Sequence, residues 1–488
     1  MTQKIYKVAV IGAGLAGSEC AYQLAKKGLD VLLVEMRPQK TTPAHHTDLP
    51  AELVCSNSFR GSDPKNAVGL LKEEMGKLDS LMMKAASKTH VPAGNALAVD
   101  REKFSLEVKK ELQNLSNLTQ VVGVVTHLEQ SKEGITIHCD SDTTYQAQKV
   151  VLATGPLTDD TLAAWLKEIT GEQYLYFYDA IAPIIEKDSI DMTKAFRGNR
   201  YSRLPLSVDR DPLDTDLGQQ LTDNELRTTD HEEGDYLNCP MDKAHYEAFI
   251  ETIKNAELAP IHEFDKNQFF DGCLPIEEMV RRGDETLRYG PMKPVGFSQL
   301  YAALDARRKT IDGKLHALVQ LRQDNLHDTM YNMVGFQTQM KYSEQEKVFR
   351  MIPGLEDAKF VRLGSMHRNT YINSPTLLTH GLELKSFPNL HLAGQMVGCE
   401  GYVESAAVGL YVGRYLGQQE PLPVLEHTTA LGALIHHILH ADAKHYQPMN
   451  VNFGLFKPFE ERVPKKERKM RQVERAREDF SSWKENIN

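Results

Sequence analysis

Few folds accommodate a short apolar run that passes without a break into three closely spaced glycines, as Val8-Ala9-Val10-Ile11 passes into Gly12-Ala13-Gly14-Leu15-Ala16-Gly17. The pattern reads as strand, tight turn and helix, and Val31-Leu32-Leu33-Val34 reads as a second strand ending on Glu35. In a βαβ unit that binds a dinucleotide each glycine answers a separate need. Gly12 makes the turn, Gly14 lets the backbone approach a pyrophosphate, and Gly17 lets helix and strand pack closely. The helix N-terminus presents unpaired N–H groups to the phosphates. Glu35, 18 residues beyond Gly17, is placed to accept hydrogen bonds from ribose hydroxyls. The candidate nucleotide-binding residues are therefore Gly12, Ala13, Gly14, Leu15, Ala16, Gly17 and Glu35, on a Rossmann-like α/β sheet.

Two later stretches extend this reading. Val150-Val151-Leu152-Ala153-Thr154-Gly155 is a buried strand with a glycine turn, and Asn389-Leu390-His391-Leu392-Ala393-Gly394-Gln395 is another. The second leads through Gly398-Cys399-Glu400-Gly401-Tyr402 to a helix of small residues, Ser405 to Gly409. Glycine turns at opposite ends of the chain fit an FAD domain interrupted by an insertion, and add Gly155, Gly394, Gln395, Gly401 and Tyr402 to the cofactor set. A nicotinamide-only dehydrogenase would not need the late unit. No second GxGxxG occurs, which argues against a dedicated NAD(P)H domain. The expected division is 1–190 for the first part of the FAD domain, 191–330 for an α+β insertion, and 331–488 for the second part with a charged C-terminal helix. Residues 207–235 carry ten acidic side chains against two basic ones and read as a solvated stretch. Within the first part, 36–60 reads as a long loop, 67–84 as one helix, 100–112 as another, and 119–125 and 135–139 as strands.

Composition narrows the function. A formal charge of −10 over 488 residues gives no general support for nucleic-acid binding, which would need a local basic patch. No apolar run approaches the roughly 20 residues of a membrane span, and the N-terminus lacks a signal-peptide pattern, so a cytoplasmic protein without membrane association is expected. The six cysteines include no CxxC pair, which argues against a disulfide framework and a zinc knuckle. Cys55 lies on the long loop beside His45 and His46, and Cys273 follows Gly272 and precedes Pro275 in an expected turn. Either thiol is a candidate for reactivity or for a structural role, while Cys20, inside the first helix, reads as core. His436, His437 and His440 share the helix 429–441 but have no HExxH or cysteine companions, and no metal is expected. The polar run Ser365 to Tyr371 reads equally as a site loop or as an ordinary strand. The dense charges beyond Phe459 read as a solvated helix, with an RNA-facing patch as the alternative.

Six blocks together resemble the folate- and FAD-dependent tRNA (uracil-5-)-methyltransferase family. They are Gly12 to Glu19, Thr42-Pro43-Ala44-His45-His46-Thr47-Asp48, Glu52-Leu53-Val54-Cys55-Ser56-Asn57-Ser58, Phe270-Asp271-Gly272-Cys273, Met366-His367-Arg368-Asn369-Thr370, and Gly401-Tyr402-Val403-Glu404-Ser405-Ala406. The likeness runs from residue 8 to about residue 455. It implies a glutathione-reductase-like flavoprotein that forms 5-methyluridine at position 54 of the tRNA T-loop. The methylene would come from 5,10-methylenetetrahydrofolate and the reducing equivalents from NAD(P)H through FAD, with flavin N5 carrying carbon as well as hydride. It implies that Cys273 and Cys55 are the two working cysteines. Cys273 is assigned to attack at uracil C6, and Cys55 to the flavin side, in methylene transfer or removal of the C5 proton; the two roles are open to exchange. It implies tRNA as the macromolecular partner and no stable protein partner. Two alternatives differ in substrate: a related flavoprotein that modifies rRNA or the tRNA wobble uridine, and a small-molecule FAD oxidoreductase.

Overall fold

A computed structural model describes the chain except residues 1–3, 43, 172–174, 201–233, 260–273, 298–313, 421 and 488, and except the side chains of 175–180, 366–369 and 465. The N-terminal segment forms strand β1 (Ile5–Ile11), helix α1 (Leu15–Lys26) and strand β2 (Val31–Glu35). Strands β1 and β2 pair in parallel, with Val10 opposite Leu33. On its other side β1 pairs in parallel with Thr144–Leu152. Leu118–Val122 extends the sheet beyond β2, Leu390–Leu392 pairs beside Thr144–Leu152, and an antiparallel hairpin, Val125–Ser131 with Gly134–Cys139, completes it. The central strands are near-continuous apolar runs because both faces of a parallel sheet are covered. Val8, Ala9, Val10, Val31 and Leu32 are all buried.

The likeness of the two chain ends has a structural basis. Helix Tyr402–Leu416 lies on α1 so closely that a Cβ at Gly409 would stand 2.2 Å from the Ala16 carbonyl oxygen, and one at Gly413 2.9 Å from that of Cys20. Forcing such side chains in would cost about 1–3 kcal/mol or more each. The contact brings the N-termini of the two helices to the same edge of the sheet.

The single helix expected over 67–84 is two, Ala67–Lys77 and Leu81–Lys88. Asp79 turns the chain with a φ of +63°, and Ser80 caps the second helix by accepting the Met83 N–H. The deciding partner is distant. Buried Glu19 of α1 accepts hydrogen bonds from the Leu81 and Met82 N–H groups at 3.1 and 2.9 Å, satisfying donors that a helix start leaves orphaned.

A second antiparallel sheet runs in the order Phe196–Arg197, Tyr236–Met241, Ala317–Gln323, Met330–Met333, Ile184–Glu186 and Phe360–Arg362. It has its own core, including Ile185, Leu237, Phe249, Val319, Tyr331 and Phe349. This sheet takes strands from both sides of the expected 191–330 range, because Ile184–Glu186 and Phe360–Arg362 pair with each other. We therefore propose 184–362 as the extent of the inserted unit. Of the acidic stretch 207–235, all but Gly234 and Asp235 lies outside the described residues. The run Ser365–Tyr371 supplies a strand, Met366–Tyr371, paired antiparallel with Leu175–Ala180. No described helix is long and apolar enough to cross a membrane.

Candidate active site

The nucleotide edge is built from the backbone outward. Gly12 has a φ of +98°, and a Cβ on it would stand 2.6 Å from the Ala153 carbonyl oxygen. At Gly17 a Cβ would fall 1.8 Å from the Gly12 carbonyl oxygen. The protein's own packing therefore requires both glycines. Gly14 is different, with no heavy atom within 4 Å of the place a Cβ would take and an extended backbone open to other residues, φ −70°. That open face, at the start of α1, fits a phosphate brought close to the main chain. Gly155 has a φ of +72° and a similarly open face. Gly394, at φ +82°, lies against α1, 2.8 Å from the Ala16 side chain at its would-be Cβ.

Glu35 sits at the end of β2 and lines a cavity of about 580 Å³ with Gly12, Gly14, Arg37, Thr42 and His45. Its carboxylate accepts the Ala13 N–H at 2.7 Å and the Arg37 Nε at 2.8 Å. Burial opposes its charge, but the Arg37 hydrogen bond and charge, with the Ala13 N–H, outweigh that and hold the carboxyl below its ordinary range. Arg37 is only 3% exposed. It also donates to the Thr47 carbonyl and to Glu52 Oε2, each at 3.2 Å. Glu52 in turn accepts the His46 and Thr47 N–H groups at 2.9 and 3.1 Å. The long loop is thus pinned beside the glycine turn by an Arg37–Glu52 pair that sequence reasoning missed, although an arginine two residues after Glu35 was a usable signal.

His45 bonds Thr42 Oγ1 through Nδ1 at 2.6 Å, and burial, with the charge of Arg37, pushes its pKa down to about 4. The folded protein therefore binds fewer protons at this ring than the unfolded chain does between about pH 6.5 and 4. Stability from this group is present above pH 6.5 and falls as pH drops through that window, by about 3 kcal/mol at most. Urea midpoints at pH 7 and pH 5 should converge in His45→Asn relative to the unsubstituted protein. An equal pH dependence in the two proteins would remove His45 from the account.

A larger cavity, about 1230 Å³, opens where both ends of the FAD domain meet the inserted unit. Cys55, Arg60, Arg322, Gln337, Gln395 and Tyr402 are among its lining residues. The Tyr402 phenol oxygen accepts the Cys55 N–H at 2.7 Å and the Ser56 N–H at 3.0 Å, so the late helix fixes the early loop by its main chain. Burial, then the adjacent Cys55 sulfur, push the Tyr402 phenol up. Gly401, at φ +109°, has no room for a Cβ, which would stand 2.5 Å from Glu404 Oε2. Glu404 is fully buried, and its Oε1 pairs with Arg60 and accepts the Val451 N–H at 2.9 Å. Gln395 Nε2 donates to Glu400 Oε2 at 2.6 Å.

The cavity wall holds two arginines, Arg60 and Arg322, in a chain of negative net charge. Arg322 donates to Asn57 Oδ1 at 2.9 Å and Ser56 Oγ at 2.8 Å. Arg101 donates to both oxygens of Asp324 at 3.0 and 2.9 Å and to the Leu53 carbonyl at 2.6 Å. Arg101, Arg322 and Arg362 all interact electrostatically with Cys55. Such a wall suits a substrate that is anionic or becomes so in reaction.

The structure brings Cys55, Gln395, Gly401 and Tyr402 to this cavity, and Gly12, Gly14 and Glu35 to the first one. Ala13 adjoins Glu35 through its N–H, while Leu15 and Ala16 are buried in α1. Cys273 lies outside the described residues. Cys20, Cys139, Cys239 and Cys399 are buried, and burial pushes each thiol up. His427, His436 and His440 stack with centroid spacings of 4.1 and 4.7 Å, but no group of three or more metal-ligating side chains among the described residues can hold a metal ion.

Known proteins share this arrangement. The family model described as "Glucose inhibited division protein A" matches residues 7–224 and 218–419. The methylenetetrahydrofolate–tRNA-(uracil-5-)-methyltransferase TrmFO of Geotalea uraniireducens is 48% identical over 480 residues, 98% of each chain. That of Listeria monocytogenes is 48% identical over 474 residues, 96% of each chain. Among solved structures, Aquifex aeolicus GidA has a TM-score of 0.63 at 16% identity, covering 98% of this chain and 74% of its own. This last likeness shows that the two chains share a fold.

Proposed function

The chain belongs to the methylenetetrahydrofolate–tRNA-(uracil-5-)-methyltransferase family, and from that premise we propose that it methylates C5 of uridine 54 in the tRNA T-loop. Its cofactor is a flavin, its one-carbon substrate a methylenetetrahydrofolate, and its macromolecular substrate tRNA. Within that reaction we further propose NAD(P)H as the source of electrons and a cytoplasmic location for the protein. The observation that carries the site is the Cys55–Tyr402 junction, in a cavity lined by the early loop, the late glycine unit and the inserted unit.

FAD fits the residues present. Gly14 leaves an open cradle at the start of α1, Glu35 and Arg37 line the nucleotide cavity, and Gly394, Gln395 and Gly401 approach from the other end of the chain. When bound it would supply hydride and present the methylene unit.

The protein's part is to make uracil reactive. C5 of uracil is a poor nucleophile until a thiolate adds at C6 and pushes electron density to C5 as an enolate. Carbon–carbon bond formation at the methylene, loss of the C5 proton with cleavage of the bond from that methylene to its carrier nitrogen, and hydride delivery to the exocyclic carbon with expulsion of the thiolate then give the methyl product. We assign the C6 addition to Cys273 and the C5 proton or methylene transfer to Cys55. The Phe270-Asp271-Gly272-Cys273 block, shared with the family, supports the role given to Cys273. Arg322 and its cationic neighbours would oppose the charge of the enolate. The target base must leave its stack to enter such a cavity.

Mass mapping of RNA from a deletion strain tests the reading. The expected result is loss of the methyl group at position 54 of tRNA and nowhere else. Loss from rRNA or from the wobble position, with position 54 still methylated, would replace it by the related-flavoprotein alternative.

A further inference from the structure

The C-terminal helix, Lys465–Glu485, has two unlike halves. From Gln472 onward it is docked on the FAD domain: Gln472, Val473, Ala476, Phe480 and Trp483 are buried. Trp483 Nε1 donates to the Pro423 carbonyl at 2.9 Å, and Arg477 pairs with Glu73 at 2.7 Å. Between Val463, which is buried, and Gln472 the packing is interrupted. Lys466, Glu467, Arg468, Lys469, Met470 and Arg471 are all exposed, whichever way round the helix they point. About a turn and a half of helix therefore stands exposed to solvent as a prong between two packed points.

The charge of this prong is out of character with the chain. Residues 457–471 hold seven Lys or Arg against three Glu, in a protein of net charge −10. Two of the carboxylates, Glu461 and Glu467, are engaged by Arg471 at 2.8 and 3.8 Å. The side chains of Lys457, Arg462, Lys466, Arg468 and Lys469 are exposed and have no hydrogen-bond or ion-pair partner among the described residues. Helix stability does not account for the placement. Cations near the positive end of a helix dipole oppose it, by some tenths of a kcal/mol each, and Pro464 at the cap position supplies no side-chain hydrogen bond. Unsupported helix of this length is marginal on its own account.

The prong is tied to the reaction cavity by a short route. Asn450 lines the cavity and donates to the Glu400 carbonyl at 2.5 Å. Three residues on, the Phe453 carbonyl accepts Gln472 Nε2 at 3.3 Å, at the point where the prong leaves the body. Chain and helix geometry place Lys466 within roughly 30 Å of the cavity rim.

We propose that this prong is a docking arm for the phosphodiester backbone of tRNA, gripping phosphates away from the uridine being methylated. Unpaired cations on an exposed helix match a polyanion through counterion release without reading sequence. A basic arm on a chain of net charge −10 also steers the RNA toward this face. The proposal rests on the tRNA reading above and adds to it a second contact outside the cavity.

The test uses FAD-loaded full-length protein and the triple variant Lys466→Gln/Arg468→Gln/Lys469→Gln, whose exposed side chains leave the fold and flavin spectrum unchanged. tRNA binding is measured against KCl concentration, and methylation kinetics at fixed salt. The expected result is a KM for tRNA raised about tenfold or more with kcat within about twofold, and a log K against log salt slope reduced by about 2 to 3. Lys466→Arg/Lys469→Arg should behave like the unsubstituted protein. Unchanged KM and slope in the triple variant, with normal methylation by the unsubstituted protein, would overturn the arm and leave that face to an acidic protein surface. Absence of tRNA methylation by the unsubstituted protein would instead overturn the functional reading itself.

Discussion

Gly14→Val should yield a folded, colourless protein. No heavy atom stands within 4 Å of the would-be Cβ at this position, and its φ of −70° and ψ of −168° are acceptable to valine. The apoprotein should therefore unfold within about 0.5 kcal/mol of the unsubstituted one, as substitutions away from packed features do. The valine side chain occupies the approach to the main chain that a pyrophosphate needs. Losing one or two charge-assisted hydrogen bonds at about 1.5–3 kcal/mol each should weaken FAD binding on the order of 10²-fold or more. Fluorescence titration of the apoprotein with FAD measures this. Gly17→Ala is the contrasting control: its Cβ would fall 1.8 Å from the Gly12 carbonyl oxygen, so it should damage the fold of β1 and α1 itself. Unaltered FAD affinity in folded Gly14→Val would move the cofactor away from this turn.

The parts of the site legible in the sequence are those that act over short chain distances. The strand, glycine turn and helix at 8–26 and the acid at 35 are a local pattern, and they stand where expected. The late turn at Gly394–Gly401 was also legible, because a strand running straight into closely spaced glycines is again a local pattern, and Gly394 and Gly401 take φ values of +82° and +109°. What the sequence could not show are pairs made across the fold. Arg101 and Asp324 are 223 residues apart, and Tyr402 and Cys55 347 apart, so neither spacing carries a signal. The break of the 67–84 helix has both kinds of cause. Asp79-Ser80 was a readable cap, whereas Glu19, which secures it, comes from another element. The second sheet begins at Ile184 and ends at Arg362, beyond the compositional change that suggested a boundary at 191. Strand pairing, and not local composition, decides where that unit starts. The basic end of the C-terminal helix was legible as charge, but its projection beyond the packed half is a property of the fold.

The strongest consequence of the account falls on the two cysteines. Cys55 is half-buried in the cavity wall, and its N–H, not its sulfur, makes the 2.7 Å bond to Tyr402. Cys55→Ala thus keeps the main-chain junction while removing the thiol. If sulfur chemistry at C6 and at the C5 side drives methylation, each single variant should remain flavin-loaded and lose on the order of 10³-fold or more in methylation rate, since a missing nucleophile or proton acceptor is not replaced by its neighbours. Arg60, Arg322 and the open main chain at Gly14 are untouched in both, so substrate and cofactor binding should change little.

The measurement that bears most directly on this claim is transfer of labelled methylene from 5,10-methylenetetrahydrofolate to tRNA, with NAD(P)H, by unsubstituted, Cys55→Ala and Cys273→Ala proteins of matched flavin content. The account predicts label at uracil C5 for the unsubstituted protein and none above background for either variant. Label transferred at an undiminished rate by yellow Cys273→Ala protein would contradict it, because uracil would then be activated without the thiol to which the C6 addition is assigned.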